Sequence, residues 1–163
     1  MAFIAFISVL ITQRLFELFI AKKNEEWLRE RGAVEYGQRH YPMIILLHSA
    51  FILSLIVEFE WKNTAAMSYF FLALFFLLIM TKAWVISSLG KYWNTKIFRV
   101  PGSLSIRKGP YRFVKHPNYI IVVLEIAIIP LVFNLYFTAI VFSILNGLML
   151  SVRIKEENRV WMM

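Results

Sequence analysis

Five apolar runs constrain this chain more than anything else in it. Residues 2–21, 42–57, 65–88, 118–129 and 137–152 carry few charges, and ~20 consecutive apolar residues in a helix are what a bilayer's hydrocarbon core requires. The pattern predicts an all-α, polytopic membrane protein of about five transmembrane helices. Composition agrees, with 60% hydrophobic and 17% aromatic residues and a mean hydropathy of +0.64. The last two runs are each shorter than a comfortable span. Pro130 and the break at Phe133-Asn134-Leu135-Tyr136 separate them, so they are expected to form a tight helical hairpin with tilted or partly embedded arms. The first run has no basic residue before it and no small-residue cleavage pattern after it, and reads as a retained span. The 163 residues read as one integral-membrane domain, residues 1–88 holding three spans and residues 89–163 a loop, the hairpin and a tail.

Charge orients the spans. The 18 Lys and Arg outnumber the 10 acids, for a net charge of +8. The basic excess falls after the first run, after the third and in the tail, whereas the loop after the second run has one basic residue. The positive-inside rule then puts the N-terminus outside and the C-terminus in the cytoplasm. Such loops point to anionic lipid headgroups before nucleic acid, and no aromatic and basic interleaving suggests a nucleic-acid groove. With no cysteine and three scattered histidines, His40, His48 and His116, no metal centre is expected.

Within the runs, Arg14 and Glu17 are three apart, share a helix face and are expected to pair there. His48 is expected to be a hydrogen-bonded packing residue. Lys82 lies near enough to a span end to snorkel toward water, and Glu125 is the one charge of the fourth run. Residues 22–41, with five basic and four acidic residues, predict a surface helix ending near Gly32 and Gly37, or a solvated connecting loop.

The densest polar chemistry directly precedes the fourth run, in Gly109-Pro110-Tyr111-Arg112-Phe113-Val114-Lys115-His116-Pro117-Asn118-Tyr119. Gly109-Pro110 punctuates a turn, and Pro117 disfavours helix at His116 while suiting a helix's first turn. His116 therefore stands at a helix entrance. Free backbone N–H groups there, with Arg112 and Lys115, can receive an anion, and Tyr111 and Tyr119 offer flat faces and hydroxyls. A basic juxtamembrane loop with interfacial tyrosines would look the same. A second cluster, Arg153-Ile154-Lys155-Glu156-Glu157, follows the last run. If the helix continues, Arg153 and Glu157 share a face, and the hairpin brings them beside His116.

Together these segments resemble the isoprenylcysteine carboxyl methyltransferase and phospholipid methyltransferase superfamily. The resemblance rests on Gly109-Pro110-Tyr111-Arg112, Lys115-His116-Pro117-Asn118-Tyr119, the apolar hairpin, and Arg153 with Glu156-Glu157. In the N-terminal half, Gln13-Arg14, Glu17-Leu18, Asn24 and His40-Tyr41-Pro42 look like short bacterial members, some of which methylate alkylpyrones. The resemblance implies a methyltransferase of the bacterial plasma membrane that uses S-adenosyl-L-methionine. Its implied cofactor contacts are Tyr111, His116, Pro117, Asn118, Tyr119 and Glu157, with Ser103, Leu104, Ser105 and Ile106 lining the pocket. It also implies a substrate contact at Arg153, which is assigned to orienting the acceptor for catalysis. Lys115 stands where relatives usually carry Arg, no Gly follows Tyr119 at the usual position, and the sequence stops soon after Glu157, which predicts a pocket with one wall fewer.

The expected reaction moves a methyl group to an acidic oxygen, a carboxylate or enol, of a lipophilic acceptor at the cytoplasmic face. Such an oxygen is already anionic at neutral pH and needs positioning more than a strong base. Two other readings fit parts of the pattern. Membrane sterol reductases carry a similar His-Pro-Asn-Tyr stretch and would use NADPH, and a small transporter or lipid-binding protein would use Arg14, Glu17, Lys82 and Glu125 as pathway residues.

Overall fold

The computed structural model describes residues 1–63, 66–103 and 106–162. The fold is all-α and polytopic, with five helices: α1 (Ala2–Glu30), α2 (Tyr41–Lys62), α3 (Tyr69–Leu89), α4 (Pro117–Leu131) and α5 (Tyr136–Met162). Four of them are long and apolar enough to cross a membrane. The remaining helix, α4, has 15 residues and a length of ~22 Å, short of the ~30 Å hydrocarbon core.

The hairpin is therefore unequal. Only α4 is short, whereas α5 runs unbroken for 27 residues through the whole tail cluster. Residues 22–30, expected as a separate surface helix, continue α1 without a break, so a membrane span and a polar extension form one rod of 29 residues. The rod ends at Gly32, whose φ of +73° suits a residue without a Cβ. Two three-residue strands follow from distant parts of the chain: β1 (Val34–Tyr36) pairs antiparallel with β2 (Ile97–Arg99), with Glu35 opposite Phe98. This small sheet lies on the side of the bundle where α1 ends and α2 begins.

Alternation of direction sorts the helix ends into two layers. At one end an aromatic core gathers Phe3, Phe6, Phe51, Phe75 and Phe133. Phe3 stacks on Phe59 at 3.7 Å and meets Phe133 edge-on at 5.1 Å. There Glu58 of α2 accepts hydrogen bonds from the backbone N–H groups of Phe137, at 3.1 Å, and Thr138, at 2.7 Å. A carboxylate from a neighbouring helix thus caps α5 and faces the positive end of its dipole.

Charges close the middle of the bundle. Arg14 donates to Glu17 at 3.1 Å and to Glu125 at 3.0 Å, and Lys82 Nζ lies 2.7 Å from Glu17 and 2.8 Å from Glu125. The Gln13 amide donates to both carboxylates, at 3.0 and 3.2 Å. Two cations and two anions alternate in a neutral ring joining α1, α3 and α4. This corrects the expectation for Lys82, which does not snorkel: it is 2% exposed, because two buried carboxylates offer it more than the distant water does. His48 donates its Nδ1–H to the Ile44 carbonyl at 2.8 Å, as a packing histidine should.

Candidate active site

The site occupies the other end of the bundle, where the polar tail of α1, the 90–119 connection and the C-terminal third of α5 converge. Three local features position it. Asn24, buried on α1, donates to the carbonyls of Gly90 at 3.1 Å and Trp93 at 2.7 Å, fixing the chain as it leaves α3. Gly109, with φ +52°, lies so close to α3 that an added Cβ would stand 2.2 Å from Ser88 Oγ and 3.3 Å from Trp84 Nε1. His116 precedes α4 with a non-helical backbone (φ −130°, ψ 63°), and Pro117 occupies the first turn, as its restricted φ favours.

From these supports a chain of polar contacts crosses between α4 and α5. The rings of His116 and Tyr119 stack at 5.2 Å and 15°. The Tyr119 hydroxyl donates to Glu157 and accepts from Arg153 Nε at 2.8 Å. Arg153 Nη2 donates to the Thr95 carbonyl at 2.5 Å, and Thr95 Oγ1 lies 3.2 Å from the Tyr41 hydroxyl on α2. The second oxygen of Glu157 is 3.6 Å from His116 Nδ1. Arg153 and Glu157 are four apart on one face, yet Tyr119 bridges them in place of a direct ion pair. Their charges thus remain directed at the same space while each is held in place.

That space is a cavity of about 570 Å³, within the range of small-molecule sites. Tyr111, His116, Asn118, Tyr119, Arg153 and Glu157 all line it. So do Ser103 and Ile106, although the Ser103 hydroxyl is engaged with the Val100 carbonyl at 2.7 Å. Pro117 is buried as the first residue of α4 and shapes the site without lining it. Leu104 and Ser105 lie outside the described residues. Burial, and after it the Glu157 carboxylate, push the Tyr111 hydroxyl above its ordinary range, so it remains a neutral donor.

Three buried polar atoms around the cavity, His116 Nε2, Asn118 Oδ1 and Trp93 Nε1, have no hydrogen-bond partner among the described residues. Buried polar atoms in native proteins are nearly always satisfied. A stacked aromatic pair, a carboxylate, a guanidinium and orphaned donors and acceptors around one concavity suit a ligand with a heteroaromatic ring and several polar groups. Among the described residues no group of three or more His, Cys or acidic side chains could hold a metal.

Sequence reading missed Asn24 as an organiser, Trp93, and the link from Tyr41 through Thr95 to Arg153. A polar residue on an otherwise buried stripe could have marked Asn24. The Thr95 acceptor is a backbone carbonyl and leaves no trace in the sequence.

The model of the isoprenylcysteine carboxyl methyltransferase (ICMT) family matches residues 69–162. The chain is 44% identical over 155 residues to the uncharacterized protein YpbQ of Bacillus subtilis, covering 94% of this chain and 92% of that one. It is 31% identical over 153 residues to an uncharacterized protein of Haemophilus influenzae, covering 92% and 89%. No solved structure matches the chain.

Proposed function

The chain belongs to the isoprenylcysteine carboxyl methyltransferase family, whose members are membrane methyltransferases, and from that premise we propose that it binds S-adenosyl-L-methionine in the 570 Å³ cavity and methylates an acidic oxygen of a lipophilic acceptor. The observation that carries the reading is the meeting of Tyr111, His116, Asn118, Tyr119, Arg153 and Glu157 around one cavity in which His116 Nε2 and Asn118 Oδ1 lack partners. When bound, the cofactor supplies an electrophilic methyl group on sulfur.

The residues then divide the work. The His116 and Tyr119 ring pair provides a flat wall, and His116 Nε2, Asn118 Oδ1 and Glu157 provide the polar contacts that fix the cofactor. Pro117 sets the helix start from which three of these groups project. Ser103 and Ile106 belong to the approach segment along the pocket. Arg153 holds the acceptor anion, since a guanidinium keeps its charge in a water-poor site and matches a carboxylate or enolate in two-point geometry. No side chain need abstract a proton from an acceptor that is already anionic. Positioning in a dry cleft is the contribution asked of the protein.

A small recess beside Arg153 lies where β1, β2 and the turn at Gly37 and His40 meet Tyr41 and Ile44 of α2 and Glu156 of α5, and the acceptor reaches Arg153 from the bilayer on that side. The N-terminus lies outside and the site faces the cytoplasm of a bacterial plasma membrane, a reading supported by the basic loops and by the bacterial relatives.

Calorimetry in detergent tests the cofactor directly. S-adenosylhomocysteine should bind and NADPH should not. Binding of NADPH alone would replace this reading with a reductase.

A further inference from the structure

The cavity wall formed by residues 107–115 carries more than the proposed cofactor needs. Of the cations around the cavity, Lys96 is paired with Glu25 at 3.0 Å and Glu35 at 3.5 Å, Arg99 donates to the Val160 carbonyl at 2.5 Å, Lys115 donates to Asn158 at 2.5 Å, and Arg153 is held by Thr95 and Tyr119. Arg107 and Arg112, also on its lining and both exposed, have no hydrogen bond or ion pair among the described residues. A sulfonium cofactor with one carboxylate gives no reason for two further unpaired guanidinium groups. Beside them Phe113 is 79% exposed and Val114 41% exposed, an apolar tip set between Arg112 and Lys115.

The height of that tip is fixed by packing. Gly109 sits against Ser88 and Trp84 on the last turns of α3, and three residues after Val114 the chain enters α4 at Pro117. Trp84 is 55% exposed and Ile120, on the first turn of α4, 48% exposed. An outward Trp near a span end marks the level of lipid headgroups. An apolar tip at that level faces acyl chains, and the cations around it face phosphates.

We propose that residues 107–115 dock on anionic phospholipid of the leaflet they face, with Phe113 and Val114 entering the interface and Arg107 and Arg112 taking headgroup phosphates. The same turn supplies Tyr111 and Arg112 to the cavity wall, so docking steadies the wall. That last consequence rests on the proposed function, whereas the docking does not.

The chain has no native cysteine, so Val114→Cys can carry a single environment-sensitive fluorophore while Phe113 stays in place. The labelled full-length protein is reconstituted in nanodiscs of phosphatidylcholine, with and without phosphatidylglycerol, each also prepared with lipids brominated near the headgroup. Quenching by the brominated lipid should be strong, should increase with phosphatidylglycerol, and should lose that increase at high salt and in Arg107→Gln/Arg112→Gln. A fluorophore quenched by aqueous iodide but not by lipid, or quenched equally in both lipid compositions, would overturn the docking. Soluble glycerol phosphate added to phosphatidylcholine discs should not reproduce the effect of phosphatidylglycerol, and if it does the site is one for free phosphate and the proposal fails. S-adenosylhomocysteine affinity rising with phosphatidylglycerol would support the link to the wall. Failure of S-adenosylhomocysteine to bind in either disc would count against the cofactor reading alone, since quenching is read without it.

Discussion

At the scale of single residues, Tyr119 decides how the site works. Its hydroxyl stands between Arg153 and Glu157, so two groups that could have neutralised each other are held apart, and in the proposed function each is left to a different ligand. Arg153→Met should lower kcat/KM for an accepted lipophilic acid by about 2 kcal/mol, roughly thirtyfold, because the acceptor anion then has no charge-assisted hydrogen bond to hold it. Arg153→Lys should recover only part, because a point charge lacks the planar fork. Wild-type turnover in Arg153→Met would remove that residue from the site. Glu157→Gln should weaken S-adenosylhomocysteine binding by about 1.5–3 kcal/mol and Glu156→Gln much less, because Glu156 is engaged at the surface with Arg159 at 2.5 Å and Glu157 faces the cavity. Calorimetry giving the reverse order would put the wrong helix face toward the cofactor. These assignments are accessible from sequence because His116, Tyr119, Arg153 and Glu157 are side chains in recognisable spacings. The partner that orients Arg153, the Thr95 carbonyl, is not, since any residue at position 95 would present one.

At the scale of elements, the legible parts are those whose cause is local. A run of apolar residues near span length makes a helix in a membrane whatever surrounds it, so α1, α2 and α3 can be read directly, and Gly32 marks the end of α1. The strands cannot. Three residues each of β1 and β2 carry no alternation long enough to notice, and the pairing joins Val34 to Arg99 across the whole of two helices. The ion ring is half legible. Arg14 and Glu17 declare themselves by spacing, but Lys82 and Glu125 join them only because α3 and α4 flank α1 at that depth. The ring makes a strong expectation at this scale. Its Glu125 side chain is 1% exposed and Lys82 3% exposed, so Glu125→Gln leaves an uncompensated buried cation and should destabilise the protein by about 3–5 kcal/mol. Glu125→Gln combined with Lys82→Met restores neutrality and should be more stable than Glu125→Gln alone. Thermal unfolding in detergent measures both, and a double variant no better than the single one would show that charge balance is not what the ring supplies.

At the scale of the whole molecule, the three layers of the bundle have separate duties that together fix where the chemistry happens. The aromatic end is closed by Phe3, Phe59 and Phe133, the middle by the ion ring, and only the remaining end is open and polar. Since α4 is ~22 Å long, anchored at its midpoint by Glu125 and begun by Pro117, its N-terminal residues are held near the membrane surface, which is where a water-soluble cofactor and a lipid-borne acceptor can meet. Which surface that is follows from charge. The connections on the site end, after α1 and α3, and the tail of α5 are basic, whereas the turn after α2 belongs to the aromatic end, and cytoplasmic loops carry the Lys and Arg excess. The site should therefore face the cytoplasm, with the N-terminus and the turn after α2 outside. Glu60 and Lys108 are exposed near opposite ends of the bundle, and the absence of native cysteine makes single substitutions clean reporters. On intact cells an impermeant maleimide should label Glu60→Cys and spare Lys108→Cys, and after permeabilisation it should label both. Labelling of Lys108→Cys but not Glu60→Cys on intact cells would invert the protein, and would place the cavity on the face where the proposed cytoplasmic methyl donor is not supplied.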